Sequence, residues 1–486
     1  MNKRNLLLFV LTILVYSAFA AVFTYPSPNE KYQSGVYKVE VIQKGDSYNS
    51  FVYEDLNPDD HKFITDYNHW TGFSFSDKVM VKVIVQSNGR KIKSCWVHPY
   101  PKNIIPKVNK DTISFEISEA GQYFVRILFE GDKLGTPGER QGSFGYENPL
   151  FIFADPPETY IPDTNDNNTL VIPKGLTTDK IRALINSNEE KSTIYFKEGA
   201  EHRLGEKFVA KSNTTYYIPG GAYVIGNFIG DNLNNIKIIG RGIISLVNYP
   251  RHGSSKSMDW NLIYFTGDGA NQYIEGITFT NPSHFCVLSR GEMHLNWCKM
   301  FGWYVQTDGF GGGDGSKVEN TFMKVMDDNV KLYSSNNVIR NLVIYKQKNG
   351  AYFQHGWGPK GGMAKNCLVD EVYIVQDDAV AKERSLIEIK SNNGKKFKNF
   401  SFNSIYADQD IWNIMAFNNK AGSLKNFKIS NLIVNEAPRK ASHIHVIEGE
   451  VSGMEFFNFK IASKKIKKDA DWKLKIEGRV GEIRYE

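Results

Sequence analysis

Two stretches of the chain, FSFNSIYA (residues 400–407) and FKISNLIV (residues 427–434), place apolar side chains at the same four offsets, 0, 2, 5 and 7. Copies of this pattern begin at Ile236, Gln272, Met293, Ser316, Asn337, Cys367, Phe400, Phe427 and Met454, and are weaker at Gln272, Ser316 and Asn337. In the first copy the four offsets fall on Ile236, Ile238, Arg241 and Ile243. Neighbouring copies begin 21 residues (Gln272 to Met293) to 36 residues (Ile236 to Gln272) apart. A pattern that recurs at this period predicts a repeat architecture.

The repeat predicts a right-handed parallel β-helix. Each copy has room for two to three short strands, with Asn or Gly at the bends. One coil cannot bury its inner face alone, so coils stack and bury one another. A leucine-rich horseshoe would show helical stretches and a Leu-x-x-Leu-x-Leu consensus, and a propeller would show blades of about 40 residues. The sequence has neither pattern.

A different pattern precedes the repeat. Residues 25–155 contain short alternating runs such as VYKVEVI, KVMVKVIVQ and YFVRILFEG, separated by polar or Gly-containing turns. This is typical of an antiparallel β-sandwich. The Pro- and Asn-rich stretch ADPPETYIPDTNDNN (residues 154–168) then indicates a linker. We therefore expect an all-β protein, with a sandwich domain over residues 21–157 and a β-helix domain over residues 158–486.

The first 20 residues have the layout of a secretory signal peptide. A basic start at residues 1–4 precedes an apolar run over residues 5–16, and Ala18-Phe19-Ala20 fits the small-x-small cleavage rule. The run is too short for a comfortable membrane span, and no other segment approaches about 18 continuous apolar residues. We expect secretion, cleavage after Ala20 and no membrane association afterwards; an uncleaved anchor is the alternative.

The composition is that of a globular protein, with 41% hydrophobic and 23% charged residues among 486. A net charge of +6 over this length is mild and spread out, which argues against nucleic-acid binding. There are four cysteines, too few for a disulfide framework in a chain of this size: Cys95, Cys286, Cys298 and Cys367. We expect a monomer stabilised by a large core.

Three acidic residues stand out within WYVQTDGFGGGDGSKVENTFMKVMDDNVKLY (residues 303–333): Asp308, Asp327 and Asp328. Side chains of a strand alternate between its two faces. If Val330 and Leu332 point inward, the outward positions are Tyr304, Gln306, Asp308, Asp327, Asn329, Lys331 and Tyr333, with Asp328 at the start of its strand. Successive coils stack at about 4.8 Å, so the three carboxylates are predicted to converge on one outer face.

Like charges this close raise the pKa of at least one carboxyl group. Glycoside hydrolysis uses such an arrangement, with one carboxylic acid kept protonated and another ionised to activate water. An aspartate ladder at turns, or a calcium site made of the same residues, would give the same pattern. The spacing, the predicted stacking and the signal peptide favour an enzyme.

The motif Thr307-Asp308-Gly309, followed by Asp327-Asp328, resembles the polygalacturonase-like glycoside hydrolases. Two positions depart from the pectinases. Their Arg-x-Lys is replaced by Glu388-Ile389-Lys390, and their Gly-His-Gly aligns with Asn349-Gly350-Ala351. DDNVKLY (residues 327–333) and FQHGW (residues 353–357) instead resemble glycoside hydrolase family 49, the dextranase and isopullulanase group, which also carries a β-sandwich before its β-helix.

The resemblance implies a secreted polysaccharide hydrolase that inverts the anomeric carbon without cofactor or metal. Asp327 would be the general acid, with Asp308 and Asp328 holding the water as base. Lys331 would keep the carboxylates ionised or bind a sugar hydroxyl. The other candidates for substrate contact are Tyr333, Gln354, Trp357, Glu388 and Lys390. His355 has the opposite parity to Gln354 and is expected to pack.

The expected substrate is an α-glucan, with dextran-like α-1,6 linkages as the first choice. Lys331 and Lys390 leave an anionic polysaccharide open as an alternative. A non-catalytic carbohydrate-binding or extracellular-matrix protein is a second alternative, and a polysaccharide lyase a third.

Overall fold

The structure is a computed structural model that describes residues 21–55, 67–133, 148–249, 261–356, 361–380, 384–391, 394–419 and 422–486. The predicted signal segment, residues 1–20, and the candidate residue Trp357 lie outside these ranges. Within them, no helix has the length and apolar character needed to span a membrane.

The N-terminal strands form two sheets that face each other. They are β1 (Val22–Thr24), β2 (Tyr37–Gln43), β3 (Asp46–Ser50), β4 (Val52–Asp55), β5 (Asn68–Phe75), β6 (Val79–Val85), β7 (Ile92–His98), β8 (Lys107–Asn109), β9 (Thr112–Ile117), β10 (Gly121–Phe129) and β11 (Leu150–Asp155). One sheet has the order β1-β5-β11-β10-β7, with β4 paired to β5, and the other has the order β3-β2-β6-β9-β8. Apolar side chains from both sheets share one core. The predicted sandwich is confirmed.

The rest of the described chain forms one 29-stranded sheet that is wound into coils. Its strands are β12 (Thr169–Ile172), β13 (Thr193–Phe196), β14 (Ala200–Val209), β15 (Thr215–Ile218), β16 (Ala222–Asp231), β17 (Ile236–Gly240), β18 (Ile243–Ser245), β19 (Ile263–Thr266), β20 (Gln272–Glu275), β21 (Thr278–Thr280), β22 (Phe285–Ser289), β23 (Met293–Asn296), β24 (Lys299–Phe301), β25 (Asp308–Gly311), β26 (Lys317–Lys324), β27 (Val330–Lys331), β28 (Val338–Lys346), β29 (Phe353–His355), β30 (Met363–Asp377), β31 (Ile387–Ser391), β32 (Lys396–Ala407), β33 (Met415–Asn419), β34 (Ser423–Val434), β35 (His443–Val446), β36 (Glu450–Phe457), β37 (Lys460–Ile461), β38 (Lys464–Lys465), β39 (Lys475–Glu477) and β40 (Ile483–Tyr485). Between coils, the pairing of these strands is parallel, as the repeat predicts.

Within the described ranges, helices are few and short. One α-helix, α1 (Thr178–Asn186), places Ile181 and Ile185 in the core at the first coils. The 3₁₀ helices span Glu30–Tyr32, Tyr100–Lys102 and Asp469–Trp472. The division into domains after residue 157 stays a prediction; β11 ends at Asp155 and β12 begins at Thr169.

The register of the coils confirms the repeat. Cys367 pairs with Phe400, Phe400 with Phe427, and Phe427 with Met454, so consecutive copies of the pattern lie directly on one another. The rings of Phe400 and Phe427 stack at 5.2 Å between centroids. Residues at equivalent offsets therefore form continuous apolar columns inside the β-helix.

The first copy of the pattern is wrong at two offsets. Ile243 pairs with Thr278, and Ile244 takes the place opposite Phe279 that the repeat predicts for Ile243, so the coil holds one extra residue between its two strands. Ile243 consequently packs outward against the sandwich, and Arg241 forms ion pairs with Asp155 and Glu275. Ile244 takes the inward place in the core. An extra residue at a bend reverses the parity of the strand that follows it.

The sandwich packs on the flank of the β-helix through an aromatic cluster that includes Tyr53, Trp70 and Phe151 from the sandwich and Phe301 and Phe322 from the coils. Buried polar pairs accompany it. Trp303 Nε1 donates to Oδ2 of Asp55 at 3.2 Å, and Lys324 Nζ donates to Oδ1 of Asn68 at 2.6 Å. The interface thus reaches the chain just before Asp308.

Candidate active site

Two neighbouring coils bring the three aspartates together. Strand β25 begins at Asp308 and pairs in parallel with β27, which begins two residues after Asp328. The backbone N–H of Asp328 donates to Oδ1 of Asp308 at 3.0 Å. Val330 and Leu332 are fully buried in the core, as predicted. The carboxylates therefore lie on the outer face of the parallel sheet.

The chain before Asp308 is not the strand that its alternation predicts. Trp303 is fully buried, and residues 304–306 form a bend and a turn in which Gln306 has a φ of 77°. The Thr307 hydroxyl closes this turn by donating to the carbonyl oxygen of Tyr304 at 2.7 Å. Tyr304 and Gln306 therefore lie on a turn and not on the predicted strand, while Gln306 is exposed and Asp308 reaches the predicted face.

The three carboxylates form a tight cluster around one ammonium group. One oxygen from each of Asp308, Asp327 and Asp328 lies within 4.8 Å of the others. Lys331 Nζ lies 2.6 Å from Oδ2 of Asp328 and 3.2 Å from Oδ1 of Asp308. A cation site built from these oxygens would compete with that ammonium for the same lone pairs. Lys331 already provides their counter-charge.

Differences in environment separate the protonation states of the three groups. Burial raises the pKa of Asp308 well above its ordinary value, with Asp328 and Asp327 adding to the rise and Lys331 opposing it. Burial and the neighbouring Asp328 also raise the pKa of Asp327. Burial acts in the same direction on Asp328, but Lys331 and the Ala351 N–H stabilise its ionised form, so its pKa lies below the ordinary value. The surroundings thus favour the protonated form at Asp327 and the ionised form at Asp328.

A third coil supports the Asp327-Asp328 pair from below. Asn349 Nδ2 donates to Oδ2 of Asp327 at 2.8 Å, and the Ala351 N–H donates to Oδ1 of Asp328 at 2.7 Å. Lys346, which is fully buried, donates from Nζ to the carbonyl oxygen of Asp327 at 2.5 Å. Burial lowers the pKa of Lys346 to about 8, against the opposing effect of Asp328 and Asp327.

Sequence reasoning noted Asn349-Gly350-Ala351 only as a departure from the pectinases and did not single out Lys346. Their contacts with the aspartates depend on how the coils stack. Nothing in the sequence around Lys346 indicates that this buried lysine contacts the Asp327 backbone.

The aspartates line a cleft of about 1020 Å³. Lys331, Tyr333, Glu388 and Lys390 line it as well, in agreement with their proposed role in substrate contact, which stays a proposal. Gln354 has no exposed surface and accepts a hydrogen bond from the Tyr333 hydroxyl, so it supports Tyr333 rather than lining the cleft.

His355 packs in the core, as predicted. It lies within a group of phenylalanine rings that includes Phe400 at 5.1 Å between centroids. Burial lowers its pKa to about 4, so it stays neutral.

Glu388 and Lys390 form an ion pair at 3.3 Å. Burial and the nearby Asp328 raise the pKa of Glu388 to about 7. Oε2 of Glu388 is buried without a hydrogen-bond partner among the described residues. This pair therefore presents a carboxyl group whose charge changes near neutral pH.

The cleft is also lined by three basic residues that the sequence patterns did not indicate: Arg290, Arg384 and Lys395. They lie at bends that are far apart along the chain, so only the stacking of the coils brings them to one cleft. The cleft therefore holds more positive charge than Lys331 and Lys390, the two lysines that the sequence indicated.

Known proteins are similar to this chain over most of its length. It is 24% identical over 451 residues to the dextranase of Arthrobacter sp. (strain CB-8), and the aligned region covers 81% of this chain and 66% of that protein. It is 27% identical over 384 residues to the isopullulanase of Aspergillus niger, which covers 71% of this chain and 65% of that protein. The chain thus spans just under two thirds of the length of these relatives. No protein-family model matches it.

The fold is also found in a solved structure. Dex49A from Penicillium minioluteum superposes with a TM-score of 0.72 at 19% sequence identity, over 94% of this chain and 96% of that one. The chain is thus similar in sequence to glycoside hydrolases of the dextranase and isopullulanase group, which supports its resemblance to family 49, and it shares its fold with Dex49A.

Proposed function

We propose that this protein is a secreted glycoside hydrolase that cleaves an α-glucan, with dextran-like α-1,6 linkages as the first choice. The observation that carries the proposal is the cluster of Asp308, Asp327 and Asp328 in the cleft, whose surroundings raise the pKa of Asp327 and lower that of its neighbour Asp328. An acid and a base side by side are what hydrolysis of a glycosidic bond requires. Relatives named dextranase and isopullulanase support an α-glucan as the substrate.

In the proposed reaction, Asp327 gives its proton to the glycosidic oxygen as the bond from that oxygen to the anomeric carbon breaks. A water molecule held by Asp328 and Asp308 attacks the anomeric carbon, and its proton passes to Asp328. The products are a sugar with a free anomeric hydroxyl and a sugar with a restored alcohol. Exchange with solvent then reprotonates Asp327 and deprotonates Asp328. Lys331 keeps Asp328 ionised in the resting state.

The family resemblance supports inversion at the anomeric carbon. Inverting enzymes separate their carboxyl groups by about 6.5–9.5 Å, whereas the nearest oxygens of these three aspartates lie within 4.8 Å. The nearest-oxygen distance is shorter than the separation between whole carboxyl groups, so it does not measure the space left for water. Proton NMR of the first products decides the outcome, since an inverting enzyme acting on an α-linkage releases the β-anomer first.

An anionic polysaccharide is the second candidate, and the basic residues Arg290, Arg384, Lys390 and Lys395 in the cleft favour it. We rank it second because the similar proteins are a dextranase and an isopullulanase, and because the ionised form favoured at Asp328 would oppose a sugar carboxylate in this cleft.

One experiment separates the two candidates. Purified protein is incubated with dextran, pullulan, starch and polygalacturonate, each at low and high salt, and the reducing ends and products are measured. We expect cleavage of a neutral glucan with weak dependence on salt, and a loss of about two to four orders of magnitude in Asp327→Asn. Cleavage of polygalacturonate alone would replace the α-glucan proposal. Binding without cleavage of any polymer would favour the carbohydrate-binding alternative.

A further inference from the structure

The segment Asn349-Gly350-Ala351 gives each of the two adjacent aspartates a separate donor. The Asn349 amide serves Asp327, and the Ala351 N–H serves Asp328. Gly350 lies between these donors with a φ of +74°, and a Cβ at this position would lie 2.1 Å from the carbonyl carbon of Asp327. The segment therefore packs directly against the peptide that joins the two aspartates, and the donors cannot be exchanged without moving this backbone.

Arg384 fixes which way the Asn349 amide faces. Its guanidinium donates to Oδ1 of Asn349. A guanidinium has donors and no acceptor, so the amide oxygen must face Arg384 and the amide N–H must face Asp327. Oδ2 of Asp327 consequently always meets a donor.

The other oxygen of Asp327 is left for the proton. Oδ1 makes no hydrogen bond within the part of the chain that the structure describes, and Asp327 lines the cleft. A proton on Oδ2 would meet the Asn349 N–H, so the protonated carboxyl group carries its hydrogen on Oδ1.

We propose that Asn349, oriented by Arg384, is a positioning residue that confines the acid proton of Asp327 to Oδ1, the oxygen available to the leaving group. Its effect on turnover rests on the proposed function, whereas its effect on the titration of Asp327 does not. Two experiments therefore test it.

The first experiment measures titration without any substrate. An N–H donor stabilises an ionised carboxylate, so Asn349→Ala should raise the pKa of Asp327 by about one unit. The charged groups that face Asp327 are Asp308, Asp328, Lys331, Lys346 and Arg384, and this variant keeps all of them. The carboxyl carbon of Asp327 is followed by ¹³C NMR and assigned with Asp327→Asn. The matched control is Asn165→Ala in the exposed linker. An unmoved titration overturns the proposal.

The second experiment measures turnover on two substrates. On the polymer, Asn349→Ala should lower kcat by about 10- to 100-fold with a KM within a few-fold, because protonation of the leaving group is impaired. With an aryl glucoside that has a good leaving group, kcat of the same variant should fall much less. Arg384→Ala should behave alike and Arg384→Lys should recover part of the rate, while the exposed control Arg340→Ala should show no change.

The outcomes of the two experiments are distinguishable. Equal losses on the polymer and the aryl glucoside would overturn the positioning role. If the titration shifts but the wild-type protein cleaves no glucan, the proposed function fails and the assignment of Asn349 stands. If Asn349→Ala does not fold, the similarly sized Asn349→Leu, which also lacks the donor and keeps Arg384, is titrated in its place, and the same upward shift is required.

Discussion

At the scale of single residues, Asp327 and Asp328 are neighbours with different hydrogen-bond and charge partners. Asp328 meets the Lys331 ammonium and a backbone N–H, while Asp327 meets an amide and the negative charge of its neighbour. Both are largely withdrawn from solvent, which favours the neutral form. Partner identity therefore decides which of them carries the proton.

Lys331→Met should move the acidic limb of the pH–rate profile. Without the ammonium, the pKa of Asp328 rises, so the base is ionised only at higher pH. We expect the acidic limb of kcat/KM to shift upward by about one to three pH units. Lys428→Met, on an exposed face of β34, is the control and should leave the profile unchanged. A profile of Lys331→Met that matches the wild type would show that Lys331 does not set the charge of the base.

Asp327→Asn should keep the fold and reduce turnover by about two to four orders of magnitude, the usual contribution of a general acid. Part of the rate should return with a substrate whose leaving group needs no protonation. Steady-state kinetics on dextran and on an aryl glucoside provide the comparison. Activity on dextran within a few-fold of the wild type would remove Asp327 from the mechanism.

At the scale of elements, each coil depends on the coils above and below it. Asparagines at the bends adopt positive φ values, and their side-chain amides form ladders. Asn399 Nδ2 donates to Oδ1 of Asn366, and Asn426 Nδ2 donates to Oδ1 of Asn399, each at 3.0 Å. Inside, apolar columns fill the space between the sheets. A substitution at one bend or core position therefore affects the neighbouring coils as well.

Ile429→Asp should unfold the β-helix, whereas Lys428→Asp should not. The two positions are adjacent, but Ile429 is 1% exposed in the core and Lys428 lies on the outer face. An unpaired buried carboxylate costs at least about 3 kcal/mol. Thermal melting of both variants tests the register. Equal melting temperatures would show that the alternation has been drawn incorrectly.

Gly350→Ala should impair both folding and turnover. Gly350 and Gly361 both have positive φ values, so alanine at either position costs about 1–3 kcal/mol of backbone strain. Only at Gly350 would the new Cβ also overlap the Asp327 backbone, since nothing lies within 4 Å at Gly361. Urea denaturation and kcat of the two variants separate strain from overlap. We expect a further loss of unfolding free energy and of kcat in Gly350→Ala alone. Equal losses in the two variants would contradict the close packing of Gly350 against Asp327.

At the scale of the whole molecule, the sandwich reaches the chain that leads into the active site. Asp55 accepts hydrogen bonds from Trp303 and from Asn281 of the β-helix, and Trp303 lies five residues before Asp308. Burial raises the pKa of Asp55 from 3.8 to about 7, with both donors and Lys324 opposing the rise. The contact between the sandwich and the β-helix therefore contains a titrating group.

The stability of the wild type relative to Asp55→Asn should fall as the pH rises from about 4 to about 7. The folded state holds the proton of Asp55 more tightly than the unfolded state, so its contribution is fully present below pH 3.8 and is lost as the pH rises through about 7. Urea denaturation of both proteins across this range gives the difference in unfolding free energy. A difference that is independent of pH would show that Asp55 keeps one protonation state.

The sequence by itself determined the β-helix, its register over most copies, the sandwich and the convergence of Asp308, Asp327 and Asp328. These features follow from alternation and period, which are local properties that repeat along the chain. Tertiary structure alone decided the turn at residues 304–306, the outward packing of Ile243, the burial of Gln354 and the support from Lys346, Asn349 and Arg384. The physical reason is that an extra residue at a bend reverses parity, and residues tens of positions apart meet only once the coils have stacked.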